Sequence, residues 1–406
     1  MPTEYAARIL QLRLPEQEQL KNEPERCSAD PAMLKAIGRA VGQQVRIMSN
    51  FVALFTVKEA NPDADLGNPE LANVVRTGQT GRARLGTGAE MEAIIQANIV
   101  NAPPRSEEPV GVRFFEVAND DGEQAYLIAI APHGGDIEPH SDEEARETFR
   151  VLTTAGFPAS LWLCEGYGDQ AKAAFDRWHI TSTDLQPACF PLLEPLATRA
   201  FCYGVSFHGF DRKEDEADVY IGGGASLPLK KAIEKALNDL GLSIEVKIST
   251  CSDKAKFQGF SPENVINRLA QAGIHLEQSR RARDNFGQQI ALAVARVFAS
   301  RRRLLFCHFV QNLEARSAQA KIALAESLSQ DLAAGPLSVE RVIAKHRAFR
   351  ATEDALAAKI QAARKVEAFI EEHIGETETA QPQGGSPAQT PSKRRRRRRL
   401  RKTRKS

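Results

Sequence analysis

Along the chain, apolar positions gather into short continuous or alternating runs separated by Gly, Pro, Asn and Asp clusters. From Val110 to about Arg283 this pattern predicts strands alternating with amphipathic helices. The run Tyr126–Ala131 is almost wholly apolar, the mark of a strand covered on both faces. It gives way at once to Pro132, His133, Gly134-Gly135, Asp136 and Glu138. Pro132 is predicted to stop ladder pairing, and Ser141 with Glu144 is predicted to open a helix as a capping box. VRFFEVA and QAYLIAIA flank the turn residues Asn119–Gly122, a hairpin signal. Strands are then predicted in ASLWLCEG, CYGVSFHGF, DVYIGGG, SIEVKIST and IHLEQS. Helices are predicted in DQAKAAFDRW, SLPLKKAIEKALNDLG and SPENVINRLAQAG, the last with Ser261 as N-cap and Gly273 at its end. The expected fold class is α/β, an open mixed sheet with helices on both faces.

The flanking regions read differently. Residues 1–30 carry many charges and little periodicity and are expected to be a loose leader. Asp30-Pro31 opens a helix as N-cap and first helical residue. VALFTV predicts a strand, and NVVRTGQTGRARLG a strand, a Gly turn and a second strand, so that residues 31–87 form a small α+β appendage. AEMEAIIQANIV predicts a helix leading into the main domain, 88–283. Beyond it, apolar residues at three- and four-residue spacing predict a helical extension over 284–374 that packs on the main domain, extends as a hairpin or pairs with another copy. His308 and His346 fall within this pattern as ordinary face residues. The Pro/Gly/Ser/Thr/Gln stretch from 375 predicts disorder to the end of the chain at 406.

Composition narrows the setting. With 42% apolar residues and no apolar run near the roughly 18 that span a bilayer, the chain reads as a soluble protein with no membrane partner. The first residues lack the plan of a signal peptide, which makes a cytoplasmic location the expectation. Six cysteines, Cys27, Cys164, Cys189, Cys202, Cys251 and Cys307, show no CxxC spacing and read as reduced core thiols. Eleven Lys and Arg lie between Lys393 and Lys405, and removing them from the net +2 leaves the remainder at −9. The body of the chain is therefore acidic, and the tail is a basic arm able to bind nucleic acid or other polyanions without reading sequence. A non-catalytic, nucleic-acid-associated protein is accordingly the alternative function class.

Candidate chemistry sits where strands end, the usual place for a crevice in an open α/β sheet. His133 and His208 each follow an apolar strand and precede Gly. In IHLE, Ile274 and Leu276 alternate with His275 and Glu277, which puts Glu277 on the polar face. Two imidazoles and a carboxylate suit Zn²⁺ with one position left for water, and a further glutamate can serve as general base. His275 or His140 could replace one of these ligands. Gly222–Gly224 could cradle an anion or form a plain turn.

APHGGDIEPH, SFHGF, DVYIGGG, SPENVINRLAQAG and LEQSRRAR, in that order, resemble the poly-γ-glutamate hydrolase family of phages and bacteria, distantly related to zinc carboxypeptidases. The resemblance runs from about Asn73 to Arg283. It implies a zinc-carboxypeptidase-like sheet holding one Zn²⁺ through His133, Glu138 and His208, with Glu277 as acid/base, and an acidic γ-glutamyl polymer as substrate. The His-x4-Glu spacing fits the polyglutamate branch better than the His-x2-Glu of the peptidases. Asn267-Arg268 resembles the Asn-Arg pair with which those peptidases hold a substrate carboxylate, and Arg280 and Arg283 are the other candidates for that task. The C-terminal third, from about Asp284, has no counterpart in the compact phage enzymes.

Overall fold

A computed structural model describes residues 4–301 except 63–64, 89, 106–107, 109–110 and 121–125, together with scattered positions between 321 and 361. Most of the expected helical extension, including His308 and His346, and the whole basic tail lie outside the described residues.

The first six strands close into a barrel: β1 (Glu4–Leu10), β2 (Arg26–Ala29), β3 (Gln44–Met48), β4 (Val52–Ala60), β5 (Val74–Arg76) and β6 (Met91–Gln96), in the order β1-β5-β2-β4-β3-β6. Its interior is filled by residues such as Ile9, Cys27, Val45, Phe55, Val75 and Ile95. Three expectations are corrected here. The leader supplies β1 and β2; in β1, Ala7 and Ile9 alternate inward while Ala6 and Arg8 turn outward. The predicted helix in AEMEAIIQANIV is β6: Ala93 and Ile95 face the core while Glu92 and Ile94 face out, and pairing with both β1 and β3 closes the barrel. After β5, TGQTGRARLG forms the helix Gln79–Arg84 in place of a second strand. The helix Pro31–Ala36 is as expected, with Asp30 Oδ1 accepting from the Ala32 amide at 2.8 Å.

The second unit is a seven-stranded mixed sheet. Its strands are β7 (Arg113–Asn119), β8 (Leu127–Gly135), β9 (Ala159–Tyr167), β10 (Phe201–Phe210), β11 (Val219–Gly222), β12 (Val246–Ile248) and β13 (Ala270–Ser279), in the order β12-β11-β13-β10-β8-β9-β7. β13, β10, β8 and β9 run parallel to one another. The expected β7–β8 hairpin does not form, since β9 lies between them. A strand apolar on both faces gains most from an interior place in the sheet, and β8 takes one. Alternation then sends Leu127, Ala129 and Ala131 to one core layer and Ile128 and Ile130 to the other. The first layer is closed by helices Ser141–Thr154, Leu227–Asn238 and 280–301; the second contains Trp162, Trp178 and Phe190 and reaches the barrel at Leu54.

Local corrections follow from this frame. β8 continues through Pro132 to Gly135 because the register shifts between Ala131 and Gly134, where a missing N–H is tolerated. The helix Ser141–Thr154 has no side-chain cap, and Glu144 turns inward to accept from Gln278. The helix expected over SPENVINRLAQAG is only Val265–Leu269, with Asn264 as its cap; Ala270 and Gly273 already belong to β13, paired with β10. The helix beginning at residue 280 crosses the expected boundary at 283 and buries Ile290, Val294 and Phe298 on the sheet. Cys202 and Cys251 are exposed, so the thiols are not all in the core. Among the described residues no helix is long and apolar enough to cross a membrane.

Candidate active site

His133 lies near the end of β8, and the chain then turns tightly. Gly135 has φ +66° and its amide donates to Asp142 Oδ1 at 3.1 Å, while the Glu138 amide donates to the His133 carbonyl at 2.8 Å. That loop swings the Glu138 side chain back over the sheet toward β10. His133 Nδ1 stands 3.1 Å from Glu138 Oε1 and 3.1 Å from His208 Nδ1, and His208 Nδ1 stands 3.2 Å from Glu138 Oε2. Glu138 Oε2 also accepts from the Gly209 amide at 3.0 Å. The far side of each ring is held: His133 Nε2 lies 2.9 Å from the Ile180 carbonyl and His208 Nε2 2.7 Å from Ser206 Oγ. Such contacts fix ring orientation and leave the Nδ1 atoms turned to Glu138.

A third imidazole, which the sequence reading missed, joins this group. His179 follows the short helix Ala174–Trp178, and its Nε2 lies 3.7 Å from Glu138 Oε1 while its ring centroid is 4.2 Å from that of His133. One ligand atom from each of His133, Glu138 and His179 falls within 4.8 Å of the others. No apolar strand precedes His179, so a search of strand ends passes over it; the only local signal is a histidine next to a buried tryptophan. Ser182 and Ser206, both near His208 Nε2, were missed as well: Ser182 lies outside any strand, and Ser206 sits within β10, two residues before His208.

On the next strand, His208 is paired in register with Glu277. Ile274 and Leu276 enter the core while His275 and Glu277 line a cleft of about 900 Å³ together with the histidine–glutamate cluster. Glu277 Oε1 is 3.1 Å from His275 Nε2. Burial raises the Glu277 carboxyl above its usual range, with His275 opposing and the charge of Glu138 reinforcing the shift. Burial works against the charged form of Glu138 too, but His133 and His208 overcome it and hold that carboxyl well below the usual range. Burial and the neighbouring His275 push His208 down to about 3. His208 is thus a neutral imidazole, the form that ligates metals.

The remaining candidates divide. Arg280 and Arg283 line the cleft. Arg283 is fixed by bonds from Nε to the Pro139 carbonyl at 2.8 Å and from Nη1 to the Gln278 carbonyl at 2.7 Å, whereas Arg280 is exposed and paired with Asp284. Asn267 and Arg268 are not at the cleft, which corrects their assignment to substrate. Asn267 bridges the Gly224 amide and the carbonyls of Gly259 and Ser261, and Arg268 is spent on the Leu185 carbonyl and Gln186. His140 points away, paired with Glu143 and Asp284. Gly222 and Gly223 accommodate close backbone packing against Gln258 and Gly273, and do not form an anion cradle.

The poly-gamma-glutamate hydrolase family model matches residues 108–311, half of the chain, and that span holds the whole cluster just described. The chain belongs to this family. The poly-γ-glutamate hydrolase family acts on γ-glutamyl bonds of an acidic polymer, and the barrel of residues 4–96 precedes the matched span. Similar solved structures include a bacteriophage poly-gamma-glutamate hydrolase, with 22% identity over 48% of this chain and 93% of that chain and a TM-score of 0.37. Another is YNDL in a zinc-free apo form, with 21% identity over 46% and 89% and a TM-score of 0.35. A computationally designed protein, msDPBB_sym2, shows 22% identity over 23% and 96% with a TM-score of 0.20. No curated protein matches the chain.

Proposed function

We propose that this poly-γ-glutamate hydrolase relative is a zinc-dependent amidohydrolase that cleaves γ-glutamyl or closely related acidic amide bonds. The observation that carries the reading is the convergence of three side chains: His133 Nδ1 lies 3.1 Å from His208 Nδ1 and 3.1 Å from Glu138 Oε1, and His208 Nδ1 lies 3.2 Å from Glu138 Oε2. Ligands about 2.0–2.1 Å from a tetrahedral zinc are separated by about 3.3 Å, so this nitrogen, nitrogen and oxygen set fits the ion with little movement. The reading brings with it a zinc-carboxypeptidase-like use of the sheet, with ligands carried at the ends of parallel strands.

His133, Glu138 and His208 would hold the zinc, which when bound supplies Lewis acidity toward water and the scissile carbonyl. Glu277 takes a proton from the attacking water. Since Oε1 faces His275 Nε2, we assign this proton to Oε2. A carboxyl raised by burial is a stronger base than an exposed one, and once protonated it can hand the proton to the leaving amine nitrogen. Every residue of poly-γ-glutamate keeps a free α-carboxylate. Arg283, held by two backbone carbonyls, and the exposed Arg280 would receive such groups at the cleft wall.

Purified protein incubated with poly-γ-glutamate should shorten the polymer, stop after treatment with a chelator, and resume when Zn²⁺ is restored. Cleavage that persists in metal-free protein would overturn the zinc reading. A metal-loaded protein inert toward the polymer would overturn the substrate.

A further inference from the structure

Glu25 lies in the turn that leads into β2 of the barrel, far outside the family-matched span, yet it reaches the cluster. One carboxylate oxygen meets His179 Nδ1 and the other accepts from the Thr181 amide at 2.8 Å. These two contacts straddle Ile180, whose carbonyl holds His133 Nε2 at 2.9 Å. Arg84, buried in the same junction, donates to the carbonyls of Asp176, Arg177 and His179 at 2.7, 3.2 and 3.0 Å, and to that of Pro24 at 3.1 Å. The barrel thus grips the segment 176–181 along its backbone, and Glu25 selects which nitrogen of His179 faces the site.

We propose that the barrel completes the metal centre, Glu25 acting as a positioning residue that presents His179 Nε2 as a further nitrogen donor beside His133, Glu138 and His208, so that the attacking water would enter as a fifth partner of the ion. This rests on the zinc reading above. The physical logic is that of a carboxylate behind a ligating imidazole: it fixes the tautomer, locks the ring and strengthens the donor nitrogen. A loop histidine without such a partner would be free to rotate, and the free-energy cost of ordering it would fall on metal binding. Glu25 also steadies the Ile180 carbonyl, so one barrel side chain orients two imidazoles. The family-matched unit accordingly depends on residues that precede it.

The test uses the full chain and Co²⁺ as a spectroscopic stand-in for Zn²⁺. Zinc affinity is measured by competition with a chromophoric chelator, and ligand geometry by the visible absorption of the Co²⁺ form. Glu25→Gln keeps the size and an acceptor for the Thr181 amide but loses the charge behind His179. It should weaken zinc about 10- to 100-fold and change the Co²⁺ spectrum, and His179→Ala should change the spectrum in the same sense. Lys58→Ala, which removes a 3.0 Å contact to Asp184 at the same barrel junction, should leave both readouts as in the native chain. If the native chain binds Zn²⁺ and Co²⁺ and Glu25→Gln matches it in affinity and spectrum, this proposal alone falls. If the native chain takes up neither ion, the zinc reading falls and takes this proposal with it. An equal effect from Lys58→Ala would show general loosening of the junction and overturn the positioning role. Should Glu25→Gln fail to fold by circular dichroism, His179→Ala decides: an unchanged Co²⁺ spectrum there overturns the proposal.

Discussion

His208 and Glu277 are register partners on the neighbouring parallel strands β10 and β13, so the two side chains rise from the same face of the sheet, one toward His133 and Glu138 and the other into the cleft beside them. The pairing gives the two residues different surroundings: His208 is surrounded by Ser206, Glu138 and His133, while Glu277 has His275 as its neighbour.

Removal of a ligand should therefore cost metal and little else. His133→Ala, Glu138→Ala and His208→Ala are each expected to lose most of one zinc per chain with circular dichroism unchanged, read by elemental analysis after gel filtration. Full zinc retention in His208→Ala would contradict its place in the set.

Glu277→Gln retains size and hydrogen bonding but cannot accept the proton. It should keep zinc and bind poly-γ-glutamate normally, and cleave at least about 100-fold more slowly, equivalent to roughly 2.7 kcal/mol of transition-state stabilisation. Near-native turnover, or loss of zinc, would show that the role is misassigned.

Gly209 has no room for a side chain. A Cβ there would come within 1.4 Å of Arg283 Nη1, and its amide serves Glu138. Gly209→Ala must push Arg283 off the Pro139 and Gln278 carbonyls. A loss of roughly 1–3 kcal/mol from overpacking is expected in thermal or denaturant melts, with a raised KM for the polymer. Unchanged stability and KM would mean that Arg283 has freedom the packing does not suggest.

Glu144, which accepts from Gln278 beside Glu277, offers a pH test read on stability. It is buried, its Oε1 and the Oε1 of Gln278 lack partners among the described residues, and burial raises its carboxyl from the ordinary 4.5 to about 8. Because the folded value lies above the unfolded one, the folded state holds the proton more tightly. Its contribution to stability is complete below about pH 4.5 and is lost as pH rises through about 8. Glu144→Gln stays neutral throughout and should gain stability relative to the native chain across that window, by about 1.4 kcal/mol for each pH unit and several kcal/mol at its alkaline end. A difference between the two that does not vary with pH would rule this out.

Some of this architecture was legible because it depends on short-range physics. A short run apolar on both faces suits an interior strand, and Leu127–Ala131 supplies the core of β8. Alternation with period two fixed the faces of His275 and Glu277 before any fold was known. Asp30-Pro31 opens its helix through a bond that spans two residues. What failed depended on partners distant in sequence. Met91–Gln96 has apolar spacing compatible with a helix, and only pairing with β1 and β3 makes it a strand. Asn267 and Arg268 resemble a carboxylate-binding pair, but carbonyls and amides left over by other loops claim them first.

The sequence by itself determined the strand that carries His133, the glycines that let its loop turn, and the side of the sheet on which Glu277 emerges, since each follows from covalent geometry and neighbours a few residues away. Tertiary structure alone decided that His179 joins the cluster and that Glu25, 154 residues earlier, stands behind it. The physical reason is that a hydrogen-bonding group has no preferred partner until packing has removed water and brought one within about 3 Å.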